Sequence, residues 1–238
     1  MKKITILLVS MVIAITAFSQ KQMVVDANAQ MRTVSGSFTQ IKVRGGIDLY
    51  LSQSDQQSIA VSASEDKYRD QIKTVVNGNT LEIYMDGDNN WSRGNRKLKA
   101  YVSFRELESL EASGASDVII AGEIIAKNLY VHVSGASDLK GTIKADKVQF
   151  HMSGASDVTL SGTANDIKIE SSGASDFKGY DFTAATCDAH ASGASDVHIT
   201  VTKEISARAS GASSVSYKGS ASLKESSSSG ASDIQHKS

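Results

Sequence analysis

The sequence predicts an all-β protein. It is read as a right-handed parallel β-helix, or solenoid, of about seven 18–21-residue coils, preceded by a β-rich N-terminal capping region. Three observations predict it. Ser-Gly-Ala-Ser-Asp recurs from Ser113, Ser134, Ser153, Ser172, Ser192 and Ser229, with a Ser-Gly-Ala-Ser-Ser copy at Ser210, at spacings of 21, 19, 19, 20, 18 and 19 residues. The segment leading into each copy alternates apolar and polar residues, the period of a strand with one buried side. Each repeat holds two or three short β segments, too short for helices of period 3.6 and half the length of a propeller blade. The right hand is chosen because parallel crossovers are almost always right-handed.

At the N-terminus, Lys2 and Lys3 precede an apolar run from Ile4 to Ala17, and Ala17-Phe18-Ser19 places small residues before a cleavage point ahead of Gln20. This pattern reads as a signal peptide over 1–19, followed by a flexible mature N-terminus over 20–33. The run is too short to span a bilayer and no Cys follows it, so no lipoprotein or transmembrane anchor is expected after cleavage. The expected location is therefore the periplasm, the outer cell surface or the medium. Cleavage leaves 23 basic and 26 acidic residues. That balance argues against nucleic acid as a partner. The single Cys excludes an internal disulfide and a Cys-rich zinc site.

Residues 34–104 form the expected cap. Phe38 to Val43 and Ile47 to Leu51 alternate around Gly45-Gly46, and Ile59 to Ala63 reads as a further strand. Glu65 to Thr74 holds a short helix, with Tyr68 and Ile72 on one side. Asn77-Gly78-Asn79 between Val75-Val76 and Leu81 to Tyr84 is a hairpin signal. Asp86 to Lys97 is a polar loop, and Leu98 to Phe104 returns as a strand. Such a cap would shield the open edge of the first coil.

Residues 105–234 are the repeat, with a tail over 235–238. Ala126, Ala145, Ala164, Ala184 and Ala221, with Thr202 in the remaining copy, stand eight residues before a motif Ser. All length variation therefore lies between the motif and this position. Inward positions fall five, three and one before the Ser: Leu129, Val131, Val133; Val148, Phe150, Met152; Ile167, Ile169, Ser171; Cys187, Ala189, Ala191; Ile205, Ala207, Ala209. Val118 and Ile120, Val158 and Leu160, Val197 and Ile199, and Val215 and Tyr217 follow the motif as a second inward set. The motif is read as a stacked corner. Gly114, Gly135, Gly154, Gly173, Gly193, Gly211 and Gly230 supply backbone freedom, Ala fits a crowded position, and Ser and Asp bond nearby backbone. Lys224, Ser226 and Ser228 replace the apolar residues in the last coil, which is expected to be the least protected part of the stack and no dimer surface.

Gly45-Gly46-Ile47-Asp48-Leu49-Tyr50-Leu51, Ser64-Glu65-Asp66 and Asn77-Gly78-Asn79-Thr80-Leu81-Glu82-Ile83, together with the repeats, resemble the bacterial putative auto-transporter adhesin, head GIN domain family. The resemblance covers about residues 38 to 233. It implies an exported β-rich protein of a kind common in Bacteroidetes, and it brings no catalytic residues. The triplet Gly46-Ile47-Asp48 ends in Asp where the family's name-giving triplet ends in Asn, and no β-barrel translocator follows the repeats.

The candidate metal ligands are two sets. Asp117, Asp138, Asp157, Asp176, Asp196 and Asp233 form a column of carboxylates that must find partners, either Ca²⁺ or local turn N–H groups and Ser hydroxyls. His132 and His151 share one outward place in adjacent coils, with Glu170 and then His190 after them, as a metal pair or a plain surface ladder. No cofactor is assigned. Cys187 is expected to be an inert core residue. Trp91, Arg93, Arg96, Lys97 and Lys99 form a basic loop for acidic glycans, lipid headgroups or only solvent.

The expected function is that of an exported, non-catalytic cell-envelope or secreted solenoid for adhesion or surface interaction. Its partner would be a cell-surface glycan or protein, and the chain a monomer. The alternative is a polysaccharide-binding or polysaccharide-degrading β-helix with a calcium-dependent Asp site, using Asp196 with Arg208. A third reading is a flat lattice for ice or mineral, but the sequence lacks the Thr-rich rows expected of one.

Overall fold

The computed structural model describes residues 28–87 and 96–238. The signal segment, most of the mature N-terminus, and Trp91 and Arg93 of the basic loop lie outside the described residues. The chain forms a β-solenoid of about seven turns with parallel stacked coils. Five long strands each make most of one coil: β9 (Val118–Val133), β10 (Asp138–Met152), β11 (Asp157–Ser171), β12 (Asp176–Ala191) and β13 (Asp196–Gly211). Each pairs in parallel with the next, so like stacks on like: Asp138 faces Asp157, Val148 faces Ile167, and Phe150 faces Ile169. β14 (Ser214–Lys218), β15 (Ser222–Gly230) and β16 (Asp233–His236) complete the stack, as β14 and β15 pair with β13 and β16 pairs with β14.

The corner works by close approach. Gly154 has φ +81°, a region L side chains avoid, and a Cβ placed on it would lie 2.4 Å from the Gly135 carbonyl oxygen. That closeness lets Ala155 N–H donate to Gly135 C=O at 2.7 Å, and the bond repeats coil by coil from Ala136–Gly114 to Ala231–Gly211. The corner Ala side chains themselves are exposed. The expectation that Ala fills a crowded place is corrected: the crowding falls on Gly, and Ala serves through its N–H.

The second Ser of the motif turns inward. Ser116, Ser137, Ser156, Ser175 and Ser195 are fully buried. A buried hydroxyl needs partners. Ser195 Oγ donates to the Ser192 and Ser171 carbonyls and accepts from Ser192 N–H. Ser213 repeats this against Ser210 and Ala191. A polar ladder thus runs along one edge of an otherwise apolar interior.

The predicted inward residues are buried, and the structure adds a third inner row in which Ile124, Ile143, Gly162 and Phe182 stack in register, Gly162 half-buried, and buried Val201 continues it against Ala184. Register shifts at the insertions hide this row from a period-two reading. Volume is balanced within a coil. Where β12 carries small Cys187, Ala189 and Ala191, it also carries Phe177 and Phe182, and Phe177 meets Phe150 edge-on at 5.2 Å between ring centroids.

The parallel ladder also runs through the expected boundary at 104/105. β2 (Gln40–Arg44) pairs in parallel with both β6 (Thr80–Met85) and β8 (Ser109–Ser113). β3 (Asp48–Gln53) pairs with both β7 (Lys99–Phe104) and β9. Residues 40–53 are therefore a coil, inserted between a coil from later sequence and the first motif-bearing one. Arg44 faces Ser113 and Leu49 faces Val118, so Gly45-Gly46-Ile47-Asp48 occupies the place of Gly114-Ala115-Ser116-Asp117. Gly45 and Gly46 have φ +89° and +70°, and Ile47 N–H donates to the Ser116 hydroxyl. This end is closed by antiparallel strands. β4 (Ser58–Ser62) runs antiparallel to β7, β1 (Gln30–Arg32) to β4, and β5 (Ile72–Asn77) to β6, with helix α1 (Asp66–Arg69) before β5. At the other end all nine residues of β15 are exposed.

Three measurements check this account. Gly154→Ala should destabilise the protein by about 1–3 kcal/mol in denaturant unfolding, from backbone strain alone and more if the clash is not relieved, whereas Ala155→Ser should stay within about 0.5 kcal/mol. Equal stability of both would refute the close-approach corner. Asp48 heads the Asp column, and burial, then the Asp117 charge, raise its pKa above the ordinary 3.8. A carboxyl raised in the folded state costs stability as pH climbs through and above 3.8. Asp48→Asn, which restores the family's triplet, should raise the melting temperature at pH 7 and lose that gain below about pH 3.8. Hydrogen exchange should be slowest at Val131, Phe150 and Ile169 and fastest after Leu223.

Candidate functional site

Because alternate residues of each strand point outward and the coils are in register, outward side chains form columns. Two columns hold the chemistry. One starts each coil after the corner: Asp48, Asp117, Asp138, Asp157, Asp176, Asp196, Ser214 and Asp233. The other lies two residues before the motif: Lys42, Glu111, His132, His151, Glu170, His190 and Arg208.

Four carboxylates of the Asp column bond protein side chains. Asp196 accepts from the Ser214 hydroxyl at 2.6 Å. Asp157 and Asp176 share Lys178 Nζ, at 2.6 and 3.7 Å, and Asp233 accepts from the Gln235 amide. Lys178 is a partner that sequence reasoning missed, although it stands two residues after Asp176 and therefore on the same outward side. Its charge rises in pKa through the bond to Asp157. Among the described residues no three His, Cys, Asp or Glu side chains converge in a metal-binding arrangement.

In the second column His132 and His151 are stacked neighbours, as their spacing predicts. His151 Nδ1 lies 2.7 Å from Glu170 Oε2, whose other oxygen takes Lys168 Nζ at 2.5 Å. Lys168, then the imidazoles of His151 and His190, hold the Glu170 carboxyl below its ordinary pKa. Further along, Arg208 Nη1 is 2.6 Å from His190 Nε2 and Arg208 Nη2 is 2.7 Å from Glu225. His190 Nε2 is also 3.1 Å from Asp188 Oδ1. A ring nitrogen that accepts from Arg208 cannot also donate to Asp188, which leaves that carboxylate oxygen buried without a hydrogen bond. The column carries separate groups of ion pairs and hydrogen bonds, Lys42–Glu111 before His132 and His151–Glu170 and His190–Arg208–Glu225 after it.

Asp196 and Arg208 take different partners in these two separate columns, on either side of the corner, and do not form the joint site the polysaccharide reading requires. Cys187 is buried, and burial, then the Asp188 charge, push its thiol pKa far up, so it is no thiolate nucleophile at neutral pH. His190 lies outward, away from it. Tyr130, outward on β9, is the aromatic that the motif-centred reading passed over. Its ring centroid sits 5.3 Å from that of His151.

The fold matches known proteins. A solved putative adhesin from Bacteroides fragilis NCTC 9343 superposes with a TM-score of 0.81 at 24% identity, covering 88% of this chain and 96% of that one. A putative adhesin from Parabacteroides distasonis ATCC 8503 gives 0.69 at 16%, covering 87% and 95%. A putative lipid binding protein from the same organism gives 0.61 at 20%, covering 88% and 98%. At these identities the likeness is one of fold. No curated protein matches the chain. The family model described as putative auto-transporter adhesin, head GIN domain, matches residues 37–221, which takes in both the hidden first corner and the repeat corners through Gly211. The chain therefore belongs to the putative auto-transporter adhesin, head GIN domain family.

Proposed function

We propose that this chain is an exported, non-catalytic protein of the cell envelope or medium whose task is adhesion or surface interaction. The observation that carries the reading is the division of labour across the coil. The interior is filled with packed side chains and a bonded Ser ladder, whereas the outward columns present a long, rigid, polar surface in fixed register. Such a surface suits recognition of an extended partner, because its groups are held in place before binding. The family supports the same reading. So does the N-terminal run, with its Lys pair, apolar core and small residues. No helix among the described residues is long and apolar enough to cross a membrane.

Fractionation of the source cells tests export, and retention of whole cells or envelope material by the immobilised protein tests interaction. Export, retention, and polysaccharides left at full length after incubation are expected, with a melting temperature unmoved by a chelator. Shortened polysaccharide, or a melting temperature lowered by about ten degrees on chelation, would instead favour a calcium-dependent enzyme.

A further inference from the structure

Outward side chains from β11 onward are tied to one another: Lys168 with Glu170, Asp166 with Thr186, Arg208 with Glu225, and Glu204 with Lys224. On β9 and β10 the pattern changes. The side chains of Asn128, His132, Lys147 and Gln149 make no hydrogen bond or ion pair with other described residues, and in the register they flank Tyr130 along β9 and across on β10. Leu129, Val131 and Val133 are buried beneath, and strands pair on both sides, so the patch is held rigid.

We propose that this patch is a carbohydrate subsite, in which an uncharged pyranose ring lies against Tyr130 and its hydroxyls bond to Gln149, Asn128 and His132. This deepens the surface-interaction reading and rests on it. The geometry gives one side of the Tyr130 ring to His151, tilted 42° to it. On the other side Tyr130's neighbour in the column is Ser109, a small residue that leaves room beside the ring. The apolar C–H side of a sugar packs on an aromatic ring, a large and rigid contact that costs little conformational entropy. Carboxamides both donate and accept, as sugar hydroxyls do.

Charge selects the class of sugar. Glu111 and Glu170 stand near Tyr130, and after burial their charges are what raise its hydroxyl pKa, so that it stays a protonated donor. Lys42 answers Glu111, and Lys168 and His151 answer Glu170, leaving Lys147 as a cation of the patch with no partner among the described residues. A polyanionic glycan would find only that single unpaired lysine, the other charges being paired within the protein. A neutral one needs only the uncharged donors and acceptors around the ring.

The test is calorimetric titration of the full exported chain with hexamers of glucose, galactose, mannose and N-acetylglucosamine, with heparin and polygalacturonate as anionic probes. Binding to at least one neutral oligomer is expected. Tyr130→Ala should weaken it about tenfold or more, and Gln149→Ala should weaken it too. Tyr130→Phe should retain most of it, and Tyr180→Ala, at the other outward, half-buried tyrosine of the repeats, should leave it unchanged. All four variants should melt with the parent. Binding that ignores Tyr130→Ala, or binding to the anionic probes alone, overturns the proposal. So does a failure to bind any oligomer while the protein still retains cells; that result leaves the surface-interaction reading standing. Failure to retain cells at all would count against the broader reading instead.

Discussion

The structure depends on backbones meeting at the corner. Gly stacked on Gly, close enough for each following Ala N–H to reach the carbonyl of the coil before it, sets the distance at which every other pair of coils must lie. Any Cβ at that point would push the coils apart and break the parallel bonds on both sides. The left-handed φ of these glycines turns the chain in the same step. One residue type thus meets two demands, conformation and clearance, and no other residue meets both.

From this spacing follow the interior and the surface. Inside, columns of side chains must fill a constant cross-section, so a small column in one coil is offset by Phe177 and Phe182 elsewhere in it. The buried Ser ladder is tolerated because its hydroxyls find carbonyls or N–H groups within their own corner or the adjacent one. Outside, the same spacing brings like residues together, so carboxylates stacked on carboxylates must borrow cations. Lys178 does this for Asp157 and Asp176. Where a column lacks such answers, between β9 and β10, the surface is left with unbonded polar groups around an aromatic ring.

The two ends are closed by different physics. At the N-terminal end, antiparallel β1, β4 and β5 change the direction of pairing, which denies a further coil its parallel template. At the C-terminal end no such reversal occurs. β15 instead ends the stack by composition, with Lys, Glu and Ser in place of apolar residues. Its Lys224 and Glu225 reach back to Glu204 and Arg208, securing the last coil to the one before it.

The sequence by itself determined the period, the parallel stacking, the inward columns around Val131, Phe150 and Ile169, and the His132–His151–Glu170–His190 column. These are local properties: period two and a fixed eight-residue approach place them without knowledge of the rest of the chain. The inward Ser was legible by the same rule, two residues before buried Val118 and Val158, but the repeat's turn chemistry drew attention away from it. Only the tertiary structure decided that Gly45-Gly46-Ile47-Asp48 is a corner. Its neighbours in the stack, 80–85 and 98–104 on one side and 109–120 on the other, are all distant in sequence, and the coil between them is out of chain order. The third inner row was hidden for a related reason, since each insertion resets the phase and only hydrogen-bond pairing restores it. Which outward groups are answered and which are left free was likewise a tertiary outcome. A side chain's partners on a solenoid belong to the next coil, some twenty residues away, and the reach of Lys178 or Arg208 is settled by rotamer and register rather than by residue type.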